Sequence, residues 1–409
     1  MGDKMGTSGL GRSAFGFSPI MIVVITVFID ATGFGIIFPL LPFFAETFNA
    51  GSAVLSVLFA SFALMQFIFS PVLGRISDRV GRKPVLLISL LTSLASCLLF
   101  ALANSFWLLL LSRIFAGLAT ETAVAQAYVV DITGKSDRAA GIGKLGAAHG
   151  AGFIVGPAIG GFLSAFGFSA PGFAAAILTF VNLLFVIFFL PESLRNRSPK
   201  LLSSSSSNGG FLANMRFALA KPLIGATLAV AFVTFLAFSA LPVVGPLLSA
   251  AFFGFGEYES SYVFMYIGAV HIVLQGLAIG RLSRRFGDQK LITFGPIVTM
   301  VGMLLLPLIP NLAFHLVALA MISTGTGIIR TVVPSFISKT TPSDEQGSIL
   351  GVTNSVASVA TVVGPLIGGT LFEYAGIVAP FFASAAMLAV ASSLGYKNLS
   401  SNNQRLEDS

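Results

Sequence analysis

Charge is scarce in this chain. Of its 409 residues, 10% are Asp, Glu, Lys or Arg while 55% are hydrophobic, and the mean hydropathy is +0.93. A soluble domain carries about 25% charged residues, so water is excluded as the main solvent of the fold. A single cysteine, Cys97, excludes an internal disulfide and reads as a small buried hydrophobe. The three histidines stand far apart in the chain, without the spacing of metal ligands. No Gly-x-x-x-x-Gly-Lys-Ser/Thr pattern occurs, which leaves nucleotide drive and an enzymatic role without support and implies no cofactor. The net charge of +7 and pI near 9.7 would suit a nucleic-acid partner. The basic residues are nevertheless dispersed in short breaks between apolar runs, which excludes that partner. Phe and Gly are abundant, at 40 and 43 against one Trp; Phe tolerates acyl chains and Gly lets membrane helices approach closely.

Crossing a hydrocarbon core of about 30 Å takes roughly 20 apolar residues. Twelve such runs occur, approximately Ile20–Leu41, Leu55–Gly74, Val85–Ala103, Phe106–Val130, Ile142–Phe166, Pro171–Leu190, Leu223–Ala250, Ser261–Ile279, Leu291–Ile309, Phe314–Ile337, Gly347–Phe372 and Val378–Leu394. No cleavage-type ending precedes Ile20, so the first run is expected to remain as a span. Lys and Arg cluster in alternate connections: Arg75 to Lys83, Lys135 to Lys144, Arg195 to Lys221, Arg281 to Lys290, and Lys339. The opposite connections, near Glu46, Asn104, Gly167, Glu257, Asn311 and Glu373, have none. By the positive-inside rule both termini are expected in the cytoplasm, in a multi-pass protein of the plasma membrane. The break from Glu192 to Lys221, with its run Ser203 to Ser207, reads as a flexible linker. The expected organisation is an N-terminal six-helix bundle over 1–191, a cytoplasmic linker over 192–221, a C-terminal bundle over 222–396 and a cytoplasmic tail over 397–409.

The halves are related. Gly156-Pro157-Ala158-Ile159-Gly160-Gly161 in span five recurs as Gly364-Pro365-Leu366-Ile367-Gly368-Gly369 in span eleven; Gly143 recurs as Gly351, and Gly117 as Gly325. The break Gly74 to Lys83 has a counterpart in Gly280 to Gly287. The fold class expected is therefore an all-α membrane protein of twelve transmembrane helices in two pseudo-symmetric six-helix bundles, with a binding cavity between them near the midplane.

These residues carry a family resemblance over nearly the whole chain. The loop with Gly74, Asp78, Arg79, Gly81 and Arg82 resembles the signature loop between spans two and three of the major facilitator superfamily, which implies a charged conformational latch at the cytoplasmic face. Its second copy has Arg284 where Asp78 stands. Span five, with Gly143, Gly152, Gly156, Pro157, Gly160 and Gly161, is similar to that family's antiporter motif; in span eleven Ala360 replaces the second glycine. Span one, from Asp30 through Gly33, Gly35, Pro39 and Pro42, looks like that of tetracycline-type drug/proton antiporters, and span four, with Arg113 and Gly117, resembles the family's motif there. The resemblance implies the major facilitator fold and proton-coupled efflux.

A charge near the bilayer centre costs at least about 2.5–3.5 kcal/mol, so each one needs water, a partner or a proton. Asp30 falls near mid-depth of span one, roughly 15–20 Å from its cytoplasmic end. On span four, Arg113, Gly117 and Glu121 step by four and are expected to share one helix face. Asp30 and Glu121 are proton-coupling candidates, with Arg113 tuning the carboxylate it approaches; a static ion pair is the alternative. His149 can exchange protons near neutral pH, though a packing role fits it equally. Gln66, Gln126, Asn182, His271, Gln275, Arg330 and Asn354 are substrate-cavity candidates, each of which could instead join helices or snorkel. The reading is a proton-coupled exporter of amphipathic or hydrophobic organic molecules, monomeric, with the proton as coupling ion. The rivals are a sugar or metabolite transporter, a lipid or glycolipid flippase, and a non-transporting receptor or scaffold.

Overall fold

The computed structural model describes residues 18–134, 137–194, 211–274, 278–342 and 345–407. Gln275 and the serine run of the linker lie outside the described residues. The fold is all-helical. Among the described residues eleven spans are long and apolar enough to cross a membrane: Pro19–Glu46, Ser52–Val80, Arg82–Ala101, Phe106–Ile132, Ala140–Ser164, Ser169–Phe189, Pro222–Phe253, Asp288–Leu308, Leu312–Thr340, Ile349–Ala375 and Ala379–Lys397. The eighth of the twelve expected spans is carried by Glu257–Val273 and Ile279–Phe286, on either side of residues 275–277. Trp107, 75% exposed at the start of span four, and exposed Leu91, Ile177 and Phe188 form part of an apolar outer surface suited to lipid.

Glycines set the turns and the packing. Spans two and three are joined through Gly81 at φ +119°, and span eight meets span nine at Gly287 with φ +80°. Both are backbone conformations that Cβ disfavours, and both occupy matching places in the repeat. In span five, Gly152, Gly156 and Gly160 face the backbone of span one. A Cβ on Gly152 would stand 2.7 Å from the Phe28 carbonyl oxygen, and one on Gly160 would overlap the Ile36 carbonyl. In span eleven, Gly364 meets the Leu236 backbone and Ser239 of span seven, and Gly368 meets Ala240. The last glycine of each copy turns to the opposite half: Gly161 abuts Ser261 of span eight, and Gly369 abuts Ser52 of span two. The repeated motif thus welds each half's first span to its fifth and then touches its partner bundle. Gly117 and Gly325 depart from this symmetry, Gly117 packing on span two at Phe62 and Gly325 on span nine at Thr299.

The buried core divides along the membrane normal. At the end whose loops lack Lys and Arg, one cluster joins both halves, with Ile36, Leu40, Phe44 and Leu55 beside Val243, Leu247, Leu306 and Phe381. Toward the basic end the core splits into one cluster from the N-terminal half, around Val27, Leu90, Tyr128 and Val186, and one from the C-terminal half, around Leu228, Ile292 and Val333. The halves are clasped at the Lys/Arg-free end: Ser52 Oγ donates to the Gly369 carbonyl at 2.9 Å, and Ala53 N–H donates to Glu373 Oε2 at 2.7 Å. At the basic end, ion pairs join elements of one half, as in Lys339–Asp288 at 2.7 Å and Lys221–Glu345. Among the described residues the polar ties between the halves lie at the Lys/Arg-free end and the core splits toward the basic end, the arrangement of two bundles parted by a cleft on the basic side. Within the expected linker, residues Phe211–Ala220 form a helix folded against the start of span seven.

Since Gly160 has no room beyond its own hydrogen, Gly160→Ala must push span one from span five, at a cost of about 1–3 kcal/mol. Gly143, with no atom within 4 Å of a Cβ, should accept alanine without loss. Thermal denaturation of the two variants in detergent should separate them; equal melting temperatures would contradict the packing argument.

Candidate functional site

The N-terminal wall of the cleft is built on one face of span one, where Asp30, Phe34 and Phe38 recur at one-turn spacing and are each partly accessible. Asp30 is partly accessible on that face. Above it, a phenylalanine cluster from four spans closes the way to the Lys/Arg-free end. Phe34 lies 5.2 Å from Phe62 and 6.0 Å from Phe153, ring to ring. Phe38 stands edge-on to Phe59 at 5.4 Å and to Phe264 of the other half at 5.6 Å. Edge-to-face pairs of this kind add about 0.5–1.5 kcal/mol each beyond area burial.

Behind Asp30 lies a sealed polar chamber. Glu121 is 4% exposed, accepts a hydrogen bond from Ser93 Oγ of span three at 2.8 Å, and lies within electrostatic reach of Asp30. Span four does not run through as one helix. It stops at Leu118 and restarts at Glu121, so the shared face expected for Arg113, Gly117 and Glu121 is interrupted. The carboxylate stands in the first turn of the new helix, at the positive end of its dipole. Neither Ala119 nor Thr120 is a helix breaker, and the sequence holds no signal for this interruption. Arg113, 3% exposed, turns into the N-terminal bundle: Nε donates to Ser112 Oγ at 3.1 Å, and the guanidinium carbon lies 5.6 Å from the Phe100 ring centroid. Among the described residues Arg113 forms no ion pair, and its Nη2 is buried without a hydrogen-bond partner. The structure thus brings Asp30 and Glu121 together and leaves Arg113 beside an aromatic ring.

Arg330 and His271 belong to the C-terminal half, and His149 of the N-terminal half lies in the same electrostatic neighbourhood. Arg330 of span ten is exposed, within electrostatic reach of His149 of span five and His271 of span eight. The His271 ring rests over Gly327, one turn above Arg330, with Cδ2 3.5 Å from where a Cβ would stand. His149 is exposed beside Phe153, 6.2 Å between rings. Gln66, Gln126 and Asn354 are also exposed. Gln66 continues the face of Ser52, Ser56 and Phe59, which is turned to span eleven, and Asn354 projects between the span-two and span-seven directions marked by Gly369 and Gly368. Span four packs against spans one, two, three and five, and Gln126 lies on its open side. Asn182 is a correction: it is 0% exposed, with Nδ2 donating to the Thr26 carbonyl at 3.1 Å. It ties span six to span one and does not line the cavity.

The basic loop is a network within one half. Arg82 pairs with Asp78 at 2.6 Å and Asp131 at 2.8 Å, and its Nη1 donates to Ser77 Oγ at 2.6 Å. Glu192 accepts the Arg82 and Lys83 backbone N–H groups at 2.9 and 3.0 Å, capping span three. Arg79 is exposed, and a Cβ at Gly74 would meet nothing. Sequence reasoning missed Asp131 and Glu192, although both are acids placed at the basic ends of their spans. It also missed the phenylalanine roof, for which the one-turn spacing of Phe34 and Phe38 from Asp30 was an available signal.

Comparison with known proteins agrees with this architecture. Residues 23–365 match the family model of the Major Facilitator Superfamily. The class C tetracycline resistance protein of Escherichia coli is 33% identical over 362 residues, covering 85% of this chain and 88% of that protein. Multidrug resistance protein 2 of Bacillus subtilis is 28% identical over 355 residues, covering 86% and 88%. Among solved structures, a point mutant of the nucleoside transporter NupG superposes with a TM-score of 0.77 at 14% identity, covering 93% of this chain and 99% of that one. The human organic anion transporter MFSD10 superposes with a TM-score of 0.68 at 23% identity, covering 92% and 98%. The chain belongs to the Major Facilitator Superfamily and is a membrane transporter, not an enzyme.

Arg82 and Asp131 side chains are 7% and 5% exposed, whereas Asp78 is 45% exposed. Breaking a buried pair costs about 3–5 kcal/mol and an exposed one about 0–1 kcal/mol. Arg82→Gln should therefore lower the melting temperature in detergent markedly and Asp78→Asn only slightly; the reverse order would refute the assignment of Arg82 as the centre of this network.

Proposed function

We propose that the protein is a proton-coupled antiporter that exports amphipathic or hydrophobic organic molecules from the cytoplasm by alternating access, with the proton as coupling ion. The observation that carries this reading is Asp30, partly accessible at mid-depth of span one, one turn below a roof of phenylalanines and in reach of buried Glu121. An ionised carboxylate there is costly unless wet or paired. A proton removes the charge and favours closure of the cleft; cargo entering beside the side chain favours proton release. The apolar roof with a few polar anchors below it suits amphipathic cargo. Relatives named for tetracycline and multidrug resistance support efflux of organic compounds.

In the proposed cycle the basic end faces the cytoplasm of the cell that carries the protein in its plasma membrane, and a monomer suffices. The cleft seen here loads cargo from that side. The roof and the Glu373 clasp open when the bundles rock, while the loop at Gly74, Asp78, Arg79, Gly81 and Arg82 latches the basic end. The glycine face of span five lets spans one and five move as one body.

The test is transport in liposomes holding a pH dye, under an imposed proton gradient. Parent protein should release protons when a transported compound such as a tetracycline is added, and Asp30→Asn should abolish that release while keeping its fold. Undiminished coupled release by Asp30→Asn would remove Asp30 from the mechanism.

A further inference from the structure

The two cleft walls carry opposite charge. In the N-terminal half the acids within span interiors are Asp30 and Glu121; in the C-terminal half, Glu257, Glu259, Asp288, Glu345 and Glu373 all stand at or near helix ends, and the charged residue within a span interior is Arg330. Arg330 lies ten residues from the basic end of span ten, about 15 Å along the helix. Among the described residues it enters no ion pair. His271 of span eight lies against span ten at Gly327, one turn from Arg330, and span five meets span eight beside it, a Cβ on Gly150 standing 3.1 Å from Ile272, so His149 comes to the same region from the opposite bundle. Exposed between elements of both halves, Arg330 is placed on the cleft side. His149 leads directly to Phe153 and so to the roof.

We propose that Arg330, with His149 and His271, forms an anion subsite on the C-terminal wall, so that the preferred cargo is an aromatic amphipath bearing an acidic group, zwitterions included, and not a lipophilic monocation. This rests on the proposed function for the direction of transport and deepens it in naming the cargo class. The guanidinium offers a planar fork of donors matched to a carboxylate or enolate; His149 adds a donor, His271, whose Nδ1 donates to the Ile267 carbonyl at 3.3 Å, adds one at Nε2 in its protonated form, and the rings at Phe34, Phe62 and Phe153 cover the apolar body. A zwitterion spans the cleft, its cationic group toward Asp30. A monocation finds no acid on the C-terminal wall.

Equilibrium binding to the full chain in lipid nanodiscs, at one fixed pH and without a proton gradient, tests this with two dyes, the carboxylate fluorescein and the monocation ethidium. The parent protein should bind fluorescein more tightly. Arg330→Gln should weaken fluorescein about 10- to 100-fold and leave ethidium unchanged or tighter. Arg330→Lys, which keeps the charge but not the fork, should lose a few-fold for fluorescein alone, and it carries the test should the Gln variant fail to fold. Equal loss for both dyes, no loss for fluorescein, or tighter ethidium binding by the parent would overturn the subsite. Because no gradient is involved, such a result leaves the Asp30 exchange experiment standing, and failure of that experiment leaves this one standing.

Discussion

A carboxyl group held halfway through an apolar bundle must be hydrated, paired or protonated, and the rest of this molecule is arranged around that requirement at Asp30. Among the described residues no cation pairs with it. Asp30 is partly accessible, and phenylalanine rings pack toward the Lys/Arg-free end. Within electrostatic reach of it is another acid, Glu121, buried against Ser93 at the restart of span four. Two acids within electrostatic reach of each other are not both ionised cheaply in such surroundings, and on that rests the proposed proton coupling.

Movement of the bundles depends on where they are rigid and where they slide. Glycine stripes fuse span one to span five and span seven to span eleven, backbone against backbone. The last glycine of each stripe rests on the other half, at Ser261 and Ser52. Rocking about these contacts would exchange the shared core at one end of the molecule for contacts at the other. Polar ties are few there, chiefly Ser52 to Gly369 and Ala53 to Glu373, so little must be broken for the roof to part.

Much of this was legible in the residues. Apolar run lengths and the alternation of basic loops yielded the twelve spans, and the repeated glycine motif yielded two bundles in matching register, because small residues at helical spacing have one dominant use in lipid. Asp30 was legible because a lone acid in an apolar run has few harmless explanations. Rotation of each helix about its axis was not. Asn182 and Gln66 are both lone amides in apolar spans, yet one is sealed against Thr26 and the other is exposed, a difference set by tertiary packing. Arg113 fell on the expected helix but turned to Phe100, and the interruption at Ala119 and Thr120 has no local cause in residue type. Glu192 caps a helix more than a hundred residues earlier in the chain, a pairing that only the fold brings about.

Infrared difference spectra recorded through a pH titration, on the full chain in lipid, report the carbonyl stretch of protonated carboxyl groups. The account predicts a band that comes and goes with pH in the parent protein, is missing from Asp30→Asn and is altered by Glu121→Gln. Spectra of the parent and Asp30→Asn that match throughout the titration would contradict it.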